Sequence, residues 1–430
     1  MNMPQTYRTP TASEIDLSDP QLWQSPRATQ HEVFAVLRNE LPISRHKPPT
    51  PWAPAEYPPG PYWAVTRHED IQAITSDVAT FSNERGTAFA MDGVPLINNQ
   101  LQDGFLASDP PRHSKMRRIV SKAFTPKVMK NIEGWIEEQA RGVVSAVADR
   151  GECDFHHEIS APFSFGVICD MVGAPVADRA WIARTGNLMG FSGDIEYQPS
   201  TYVTELVESV VTLSAFGADL SRSRRKSGGG DDLLGSLIEA EVDGERLSDE
   251  EIGSLFYLLL SAGTETTAAT AAHGMHALTT FPDERRRWQS NFEGLSRTAV
   301  EEILRWGSAV QAFRRTAVTD TTIGGQEIAA GDTVCLFFVS SNFDETVFDD
   351  PLRFDLGRKD NPHHTFGARG IHYCLGNVLS RTELKILYRE LFQQLPDLRM
   401  TGDPVLLDSP VFATFRSAPC AFTPVKAGAK

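Results

Sequence analysis

The chain has 430 residues, 41% hydrophobic and 23% charged, the balance of a soluble globular protein long enough to bury a large core. Its 41 basic and 56 acidic residues leave a formal charge of −15, which excludes a general nucleic-acid binder. The five cysteines (Cys153, Cys169, Cys335, Cys374, Cys420) form no CxxC or CxxxC pair, which fits a reducing compartment and excludes a zinc or iron–sulfur centre that needs several thiolates.

Residues 1–20 are polar and carry no signal-peptide core. The longest apolar helical run, Ile252 to Ala262, falls well short of the ~20 residues that span a bilayer, so the expectation is a cytoplasmic protein with no membrane anchor. No long linker and no internal repeat interrupts the chain, which reads as one domain over 1–430, with 1–60 as a wrapping segment. Pro48 to Pro61 and Ser223 to Gly230 read as surface loops. Ala28 to Leu41 is helical in pattern and stopped by Pro42; Tyr62 to Val65 reads as a strand, and Glu69 to Ser76 as a helix. The loop from Ser82 to Gln102 and its exit carry Phe89, Met91, Leu96, Ile97 and Phe105 among polar residues. It is a candidate lid over an apolar ligand, although core packing suits each residue equally well.

Asp109-Pro110-Pro111 opens a helix with Met116, Ile119, Val120, Ala123 and Phe124 on its apolar face. His113 and Arg117 stand four apart, on one face, where they can jointly donate to a carboxylate. Seven bases (Arg112, Lys115, Arg117, Arg118, Lys122, Lys127, Lys130) occur there with no intervening acid, as a solvated face or as a dock for an acidic partner. Helical patterns follow at Glu133 to Val147, Glu158 to Val172 and Tyr202 to Ser221. Between the last two, a Gly-containing stretch with Met189 and Phe191 reads as an access region.

Ser248-Asp249-Glu250-Glu251 is a capping box that starts a central helix over 248–280. Such a helix is about 48 Å long, enough to cross the molecule. Its middle, Ala262-Gly263-Thr264-Glu265-Thr266-Thr267, sets a glycine, an acid and three hydroxyls inside an apolar run, and a local kink is expected there. Glu302-x-x-Arg305 is an i, i+3 pair on the next clear helix, a weak signal alone. Strand-like pieces follow at Thr322 to Ile328 and Thr333 to Ser340. Val411 to Phe415 reads as a hairpin strand, and Val310 and Phe412 complete the candidate pocket lining.

The stretch 361–391 is a glycine-punctuated loop ending in one cysteine and running into an apolar-periodic helix. Gly367, Gly370 and Gly376 permit positive φ and close approach to a flat cofactor. Cys374 precedes a helix N-terminus, where the macrodipole favours the thiolate. The competing reading is a buried structural thiol.

Phe366-Gly367 with Gly370, His372, Cys374 and Gly376 resembles the haem-binding loop of the cytochrome P-450 monooxygenases. The Phe-Gly pair stands one residue farther from the cysteine than in the commonest form. This lengthened loop resembles a bacterial subgroup acting on sterol side chains and methyl-branched lipids. The segments near 109–118, 262–267, 302–320 and 348–376 follow the order of that family. The resemblance implies a mainly α fold with a small β region, a triangular helical domain around haem b. Cys374 is then the iron ligand, and His113, Arg117, Arg315 (with Arg314 as rival), His372, Phe366, Gly367, Gly370 and Ala262 contact the cofactor. Glu265 and Thr266 relay protons, and Glu302 with Arg305 form a structural ion pair.

By the same resemblance, the chain hydroxylates a bulky hydrophobic substrate (steroid, terpenoid or branched lipid) with O₂ and electrons from NAD(P)H through a ferredoxin reductase and a ferredoxin. A tailoring oxidase of secondary metabolism and a haem protein that binds ligand without turnover stay open. Glu265 and Thr266 weigh against the last.

Overall fold

The computed structural model describes residues 11–53, 58–87, 99, 103–124, 126–186 and 202–425. The elements that build the site are α1 (Arg27–Glu40), β1 (Ile43–His46), β2 (Tyr62–Val65), α2 (His68–Ser76) and β3 (Phe81–Ser82). They continue with α3 (Arg112–Ala123), α4 (Pro126–Val147), α5 (Ala161–Met171), α6 (Tyr202–Ser227) and the hairpin β4 (Glu241–Val242) and β5 (Glu245–Arg246). The last are α7 (Asp249–Thr280), α8 (Phe292–Gly307), β6 (Ala312–Ala317), β7 (Thr333–Phe337) and α9 (Asn377–Gln394).

Helix α7 is the axis. Ser248 Oγ accepts the Glu251 N–H at 3.1 Å, while Glu251 Oε2 accepts the Ser248 N–H at 2.9 Å, closing the capping box. The helix then runs unbroken for 32 residues, with α5, α6, α8 and α9 against it. The expected kink does not interrupt the helix. The Thr264 and Thr266 hydroxyls do turn back, onto the carbonyls of Leu260 at 2.8 Å and Ala262 at 2.7 Å. Gly263 has a packing reason: a Cβ there would stand 2.4 Å from Ile168 Cδ1, so glycine lets α5 lie against α7.

The five-stranded sheet has the order β1-β2-β7-β6-β3, antiparallel except where β7 runs parallel to β2. Strand β1 was not legible in the sequence. The sheet buries Ile43, Val65, Val334 and Leu336 on one side, with Ile71 and Ile74 of α2. Against its other side Trp23, Phe34 and Trp52 gather with Phe337. Trp23 stacks on Phe337 with centroids 6.2 Å apart, which fastens the N-terminal segment to the sheet.

Two expectations are corrected. Ser223 to Ser227 is not loop, since α6 continues through it. Val411 to Thr414 is not a hairpin strand: only Phe412 bridges, to Val310, and the strand proper is Phe415–Ser417, paired with Val405–Leu406. Pro410 and the turn closed by Ser409 Oγ, which accepts the N–H groups of Val411 and Phe412, hold the chain out of ladder pairing there.

Candidate active site

The cysteine loop is held from three sides. Its Cys374 N–H donates to the Phe366 carbonyl at 2.9 Å, and Tyr373 N–H to Gly370 O at 3.0 Å, which turns the loop back on itself. Gly367 has φ +88 and Ala368 φ +53, so the extra residue is taken up by two successive left-handed positions. Gly370 is needed for close approach, but to protein: a Cβ would lie 2.2 Å from Thr75 O at the end of α2. Gly376, with φ −78, needs no positive φ; it is the N-cap of α9, and a Cβ there would stand 3.8 Å from Cys374 Sγ. Of the three glycines, then, one serves a left-handed turn and one admits the backbone of α2.

From the third side comes a buried acid–base framework. Glu302 and Arg305 are both 0% exposed, with Arg305 Nε to Glu302 Oε2 at 2.9 Å and Nη2 to Oε1 at 2.8 Å. Arg305 Nη1 also donates to the carbonyls of Asn342 and Pro351, and Glu302 accepts from Arg358, Asn361 and the Asp355 N–H. Both carboxylate oxygens and all three guanidinium nitrogens of this buried pair therefore have partners, the condition under which such a pair is tolerated. Asn342 passes the constraint on, accepting the His364 N–H at 2.6 Å and donating to Thr365 Oγ1 at 3.0 Å.

A second brace was missed in the sequence. Glu301 Oε1 and Oε2 accept from Arg381 Nε at 2.6 Å and Nη2 at 3.0 Å, and Oε2 also meets His363 Nε2 at 3.0 Å. The Arg381 guanidinium lies 4.5 Å over the Phe366 ring. Burial would raise Glu301, but the His363 and Arg381 contacts outweigh it and hold the carboxyl at about 2. The only sequence signal was its place beside Glu302.

Cys374 itself is half-buried, two residues before the α9 N-cap. The expectation that the helix end lowers its thiol is corrected. Burial of the sulfur pushes the thiol up and outweighs the Gly376 N–H, Arg117 and Arg381, which act in the opposite direction. Ligation to a cation, rather than the helix alone, would stabilise the thiolate.

The predicted carboxylate-binding group is assembled from three elements. The rings of His113 (α3) and His372 (cysteine loop) lie 4.1 Å apart, and Arg117 Nη2 donates to Tyr373 O at 2.6 Å. Burial, then Arg117, lowers His113 to about 4; burial, then Arg315, His113 and Arg117, lowers His372 still further. Arg315 thus faces this cluster, whereas Arg314, its neighbour on β6, turns to Arg85 O and Thr316 Oγ1. Alternation along the strand puts Arg315, and not Arg314, on the side of His372. Both ring nitrogens of His113 and Nε2 of His372 are buried without a hydrogen-bond partner. Orphaned donors beside two guanidinium groups fit the carboxylates of a porphyrin. The residues present therefore fit a haem.

On α7, Ala262 is exposed one turn before Thr266, so the two share an accessible face on a helix otherwise mostly buried. Glu265 points elsewhere: its Oε1 meets the Thr414 hydroxyl and lies 3.4 Å from His156 Nε2. Burial alone would raise this carboxyl, yet the His156 and Thr414 contacts outweigh it and the net shift is downward. A further acid was not anticipated. Glu383 of α9 is 1% exposed beside Thr267, the neighbour of Thr266; its Oε1 has no hydrogen-bond partner, and burial pushes the carboxyl up to about 8. Its signal was an acid within the apolar stripe Leu379, Leu387, Leu391.

Of the candidate pocket residues, Val310 and Phe412 are brought together by their bridge, both part-exposed. Phe89, Leu96, Ile97 and Met189 lie outside the described residues. The basic run on α3 is partly covered. Lys115 pairs with Glu245, Arg118 with Asp243 at 3.2 Å, and Lys122 Nζ donates to Glu241 O at 3.0 Å, all on the β4–β5 hairpin. A groove of about 690 Å³ runs between α3, this hairpin and the cysteine loop, lined in part by Arg117, Lys122, Val242 and Ile371.

The chain is similar to known proteins over most of its length. Residues 195–396 match the family model described as cytochrome P450. The chain is 38% identical over 415 residues to the methyl-branched lipid omega-hydroxylase of Mycobacterium tuberculosis, covering 96% of this chain and 95% of the relative. It is 32% identical over 400 residues to the steroid C26-monooxygenase of Rhodococcus jostii, covering 92% and 82%. A solved Mycobacterium marinum cytochrome P450 in complex with pseudoionone superposes with a TM-score of 0.87 at 38% identity, covering 97% of this chain and 100% of that one.

Proposed function

Because the chain belongs to the cytochrome P450 family, and is therefore a haem-thiolate monooxygenase, we propose that it hydroxylates a bulky methyl-branched lipid or the terminus of a steroid or terpenoid side chain. The observation that carries the substrate class is the 38% identity to a methyl-branched lipid omega-hydroxylase across nearly the whole of both chains. The described residues include no helix long and apolar enough to cross a membrane. We read 1–430 as one haem domain, fed with electrons from NAD(P)H by a separate reductase and an acidic ferredoxin. The basic residues of α3 support that docking face.

Bound haem supplies the redox chemistry by which one atom of O₂ enters a C–H bond and the other leaves as water. This chain's residues do the rest. Cys374 would hold the iron, and His113, Arg117, Arg315 and His372 would hold the cofactor's carboxylates through their N–H groups. Both paired-acid frameworks keep the loop from shifting. Thr266 presents a hydroxyl on the accessible face of α7, and Glu265 delivers the protons that reduction of O₂ to water consumes. Val310 and Phe412 line the substrate side.

The test is a screen of methyl-branched fatty acids, sterols and terpenoids for spin-state shifts in the purified ferric protein, followed by turnover with surrogate ferredoxin and reductase. Submicromolar to micromolar binding of a branched lipid with a hydroxylated product supports the reading. Binding without any oxygenated product would make the chain a ligand-binding haem protein instead.

A further inference from the structure

The strands Glu152–Asp154 and Pro419–Ala421 pair antiparallel, and their register sets Cys153 directly opposite Cys420. Residues opposite one another in a ladder carry their side chains on the same face of the sheet. That face is inward: Cys153 is 8% exposed and Cys420 2%, both lie in the main apolar core, and both are free thiols. The Phe155 N–H donates to Ala418 O at 2.8 Å and the Phe422 N–H to Gly151 O at 2.9 Å, two residues to either side of the pair. Cys153 and Cys420 are therefore a hydrogen-bonded pair of the ladder, whose Cα atoms stand about 5.5 Å apart. A disulfide spans about 4.4–6.8 Å between Cα atoms, so a bond can close here without separating the strands. Cys335, by contrast, faces Ala64 and Arg314 across its two ladders.

We propose that Cys153 and Cys420 form a redox modification site, which a peroxide converts to a disulfide that staples the C-terminal segment to the root of α5. The step balances. The Cys153 thiolate, the more accessible of the two, attacks one peroxide oxygen; the O–O bond breaks, a sulfenic acid forms and water leaves. The Cys420 sulfur then attacks the sulfenic sulfur, the S–O bond breaks, the S–S bond forms and a second water leaves. Two thiols have given up two electrons, and one peroxide has been reduced to two waters. The oxidant is at hand, because a monooxygenase that reduces O₂ without forming product releases hydrogen peroxide. Burial pushes the Cys153 thiol up to about 12 and raises Cys420 as well, so the thiolate fraction is small and the pair stays reduced until peroxide persists. Side chains this enclosed are reached by a small neutral oxidant rather than by a bulky disulfide.

The bond closes a loop that contains α5, α7, α8 and the cysteine loop, and so restricts chiefly the unfolded chain. It also joins two segments that bear on the site. The strand Glu152–Asp154 leads through the turn His156–Ser160 into α5, which packs on α7 at Gly263. The strand Pro419–Ala421 follows the segment whose Phe412 bridges to Val310. The fold is thus braced under the conditions in which uncoupled turnover releases peroxide.

The test treats the ferric holoenzyme with a few equivalents of hydrogen peroxide, alkylates the remaining thiols after unfolding, and maps the peptides by mass spectrometry. The expected result is a cross-linked peptide joining Cys153 to Cys420, with a Tm raised by about 5 °C that dithiothreitol returns to its starting value. Cys153→Ser and Cys420→Ser each abolish the cross-link and the rise in Tm, whereas Cys335→Ser keeps both. In Cys420→Ser the oxidation stops at the Cys153 sulfenic acid, which dimedone traps. Should either serine variant fail to fold, the wild-type peptide map decides the question without it. Treated wild type that keeps its fold with both thiols free, with a sulfinic acid at Cys153 and no bridge, or with a bridge to another cysteine would overturn the proposal. So would a Cys153–Cys420 bridge that leaves Tm unchanged, since it would then brace nothing.

Discussion

Glu383, on the helix that follows the cysteine loop, is buried beside Thr267, the immediate neighbour of Thr266 on the central helix, with its Oε1 lacking a hydrogen-bond partner. The contact ties the two halves of the site, the iron-ligand loop and the oxygen-facing helix, through a buried acid whose desolvation keeps it protonated.

The pH dependence of stability follows from that acid. Its ordinary value is 4.5 and burial raises it to about 8 in the folded chain, so between these limits the folded state binds a proton that the unfolded state has lost. Its contribution is fully present below the lower limit and is lost as pH rises, at a slope of up to about 1.4 kcal/mol per pH unit. Glu383→Gln, neutral throughout, is expected to match wild type near the acid limit and to exceed it by several degrees in Tm near the alkaline one. Thermal unfolding across the window checks this; parallel curves would show that the carboxyl is not buried neutral.

Thr266→Ala keeps Ala262 and the cofactor contacts and removes the hydroxyl. Haem content and the carbon monoxide spectrum stay unchanged, while reducing equivalents divert to peroxide, with product per NADH falling about tenfold. An unchanged ratio of product to NADH removes Thr266 from the relay.

Arg305→Leu leaves Glu302 buried, still charged and short of its main partner. Removing one member of such a pair costs about 3–5 kcal/mol. The expected result is protein with little haem, and a reduced carbon monoxide complex without the red-shifted thiolate Soret band. Full haem occupancy at wild-type Tm would deny the framework its role in holding the loop.

Gly370→Ala places a methyl 2.2 Å from the Thr75 carbonyl, and neither backbone can yield cheaply. Overpacking of this kind costs about 1–3 kcal/mol. Because the strain falls four residues from Cys374, the thiolate Soret band should broaden or shift before global unfolding. Gly376→Ala, whose Cβ would meet only Cys374 Sγ at 3.8 Å, is the milder control.

The acids of the β4–β5 hairpin shield the bases to which an acidic ferredoxin would dock. Asp243→Asn with Glu245→Gln frees Arg118 and Lys115 and is expected to lower the apparent ferredoxin KM at low salt. Reversing Lys115 and Arg118 raises it. Both effects shrink as ionic strength shortens the screening length to about 8 Å. A KM indifferent to salt and to all four positions would place docking on another face.

Much of this was written locally. The capping box at Ser248, strand Tyr62–Val65 and the Cys374 loop are set by residues within a few positions of each other, so short-range sterics and hydrogen bonding suffice to announce them. Misreadings came where a distant neighbour decides. Gly370 looked like room for a cofactor and proved to admit the backbone of α2. Cys374 looked activated by a helix end, but burial of its sulfur dominates.

The sequence by itself determined the family chemistry: a lone cysteine in a glycine loop, an acid–threonine pair within an apolar helix, and the order of these segments. Only the tertiary structure decided that Arg315 rather than Arg314 faces His372, that Glu301 braces Arg381, that Glu383 stays neutral, and that His156 confronts Glu265. Each of these depends on burial and on groups brought together from segments far apart along the chain. Electrostatic free energy is set by distance in space and by local desolvation, neither of which is encoded in spacing along the chain.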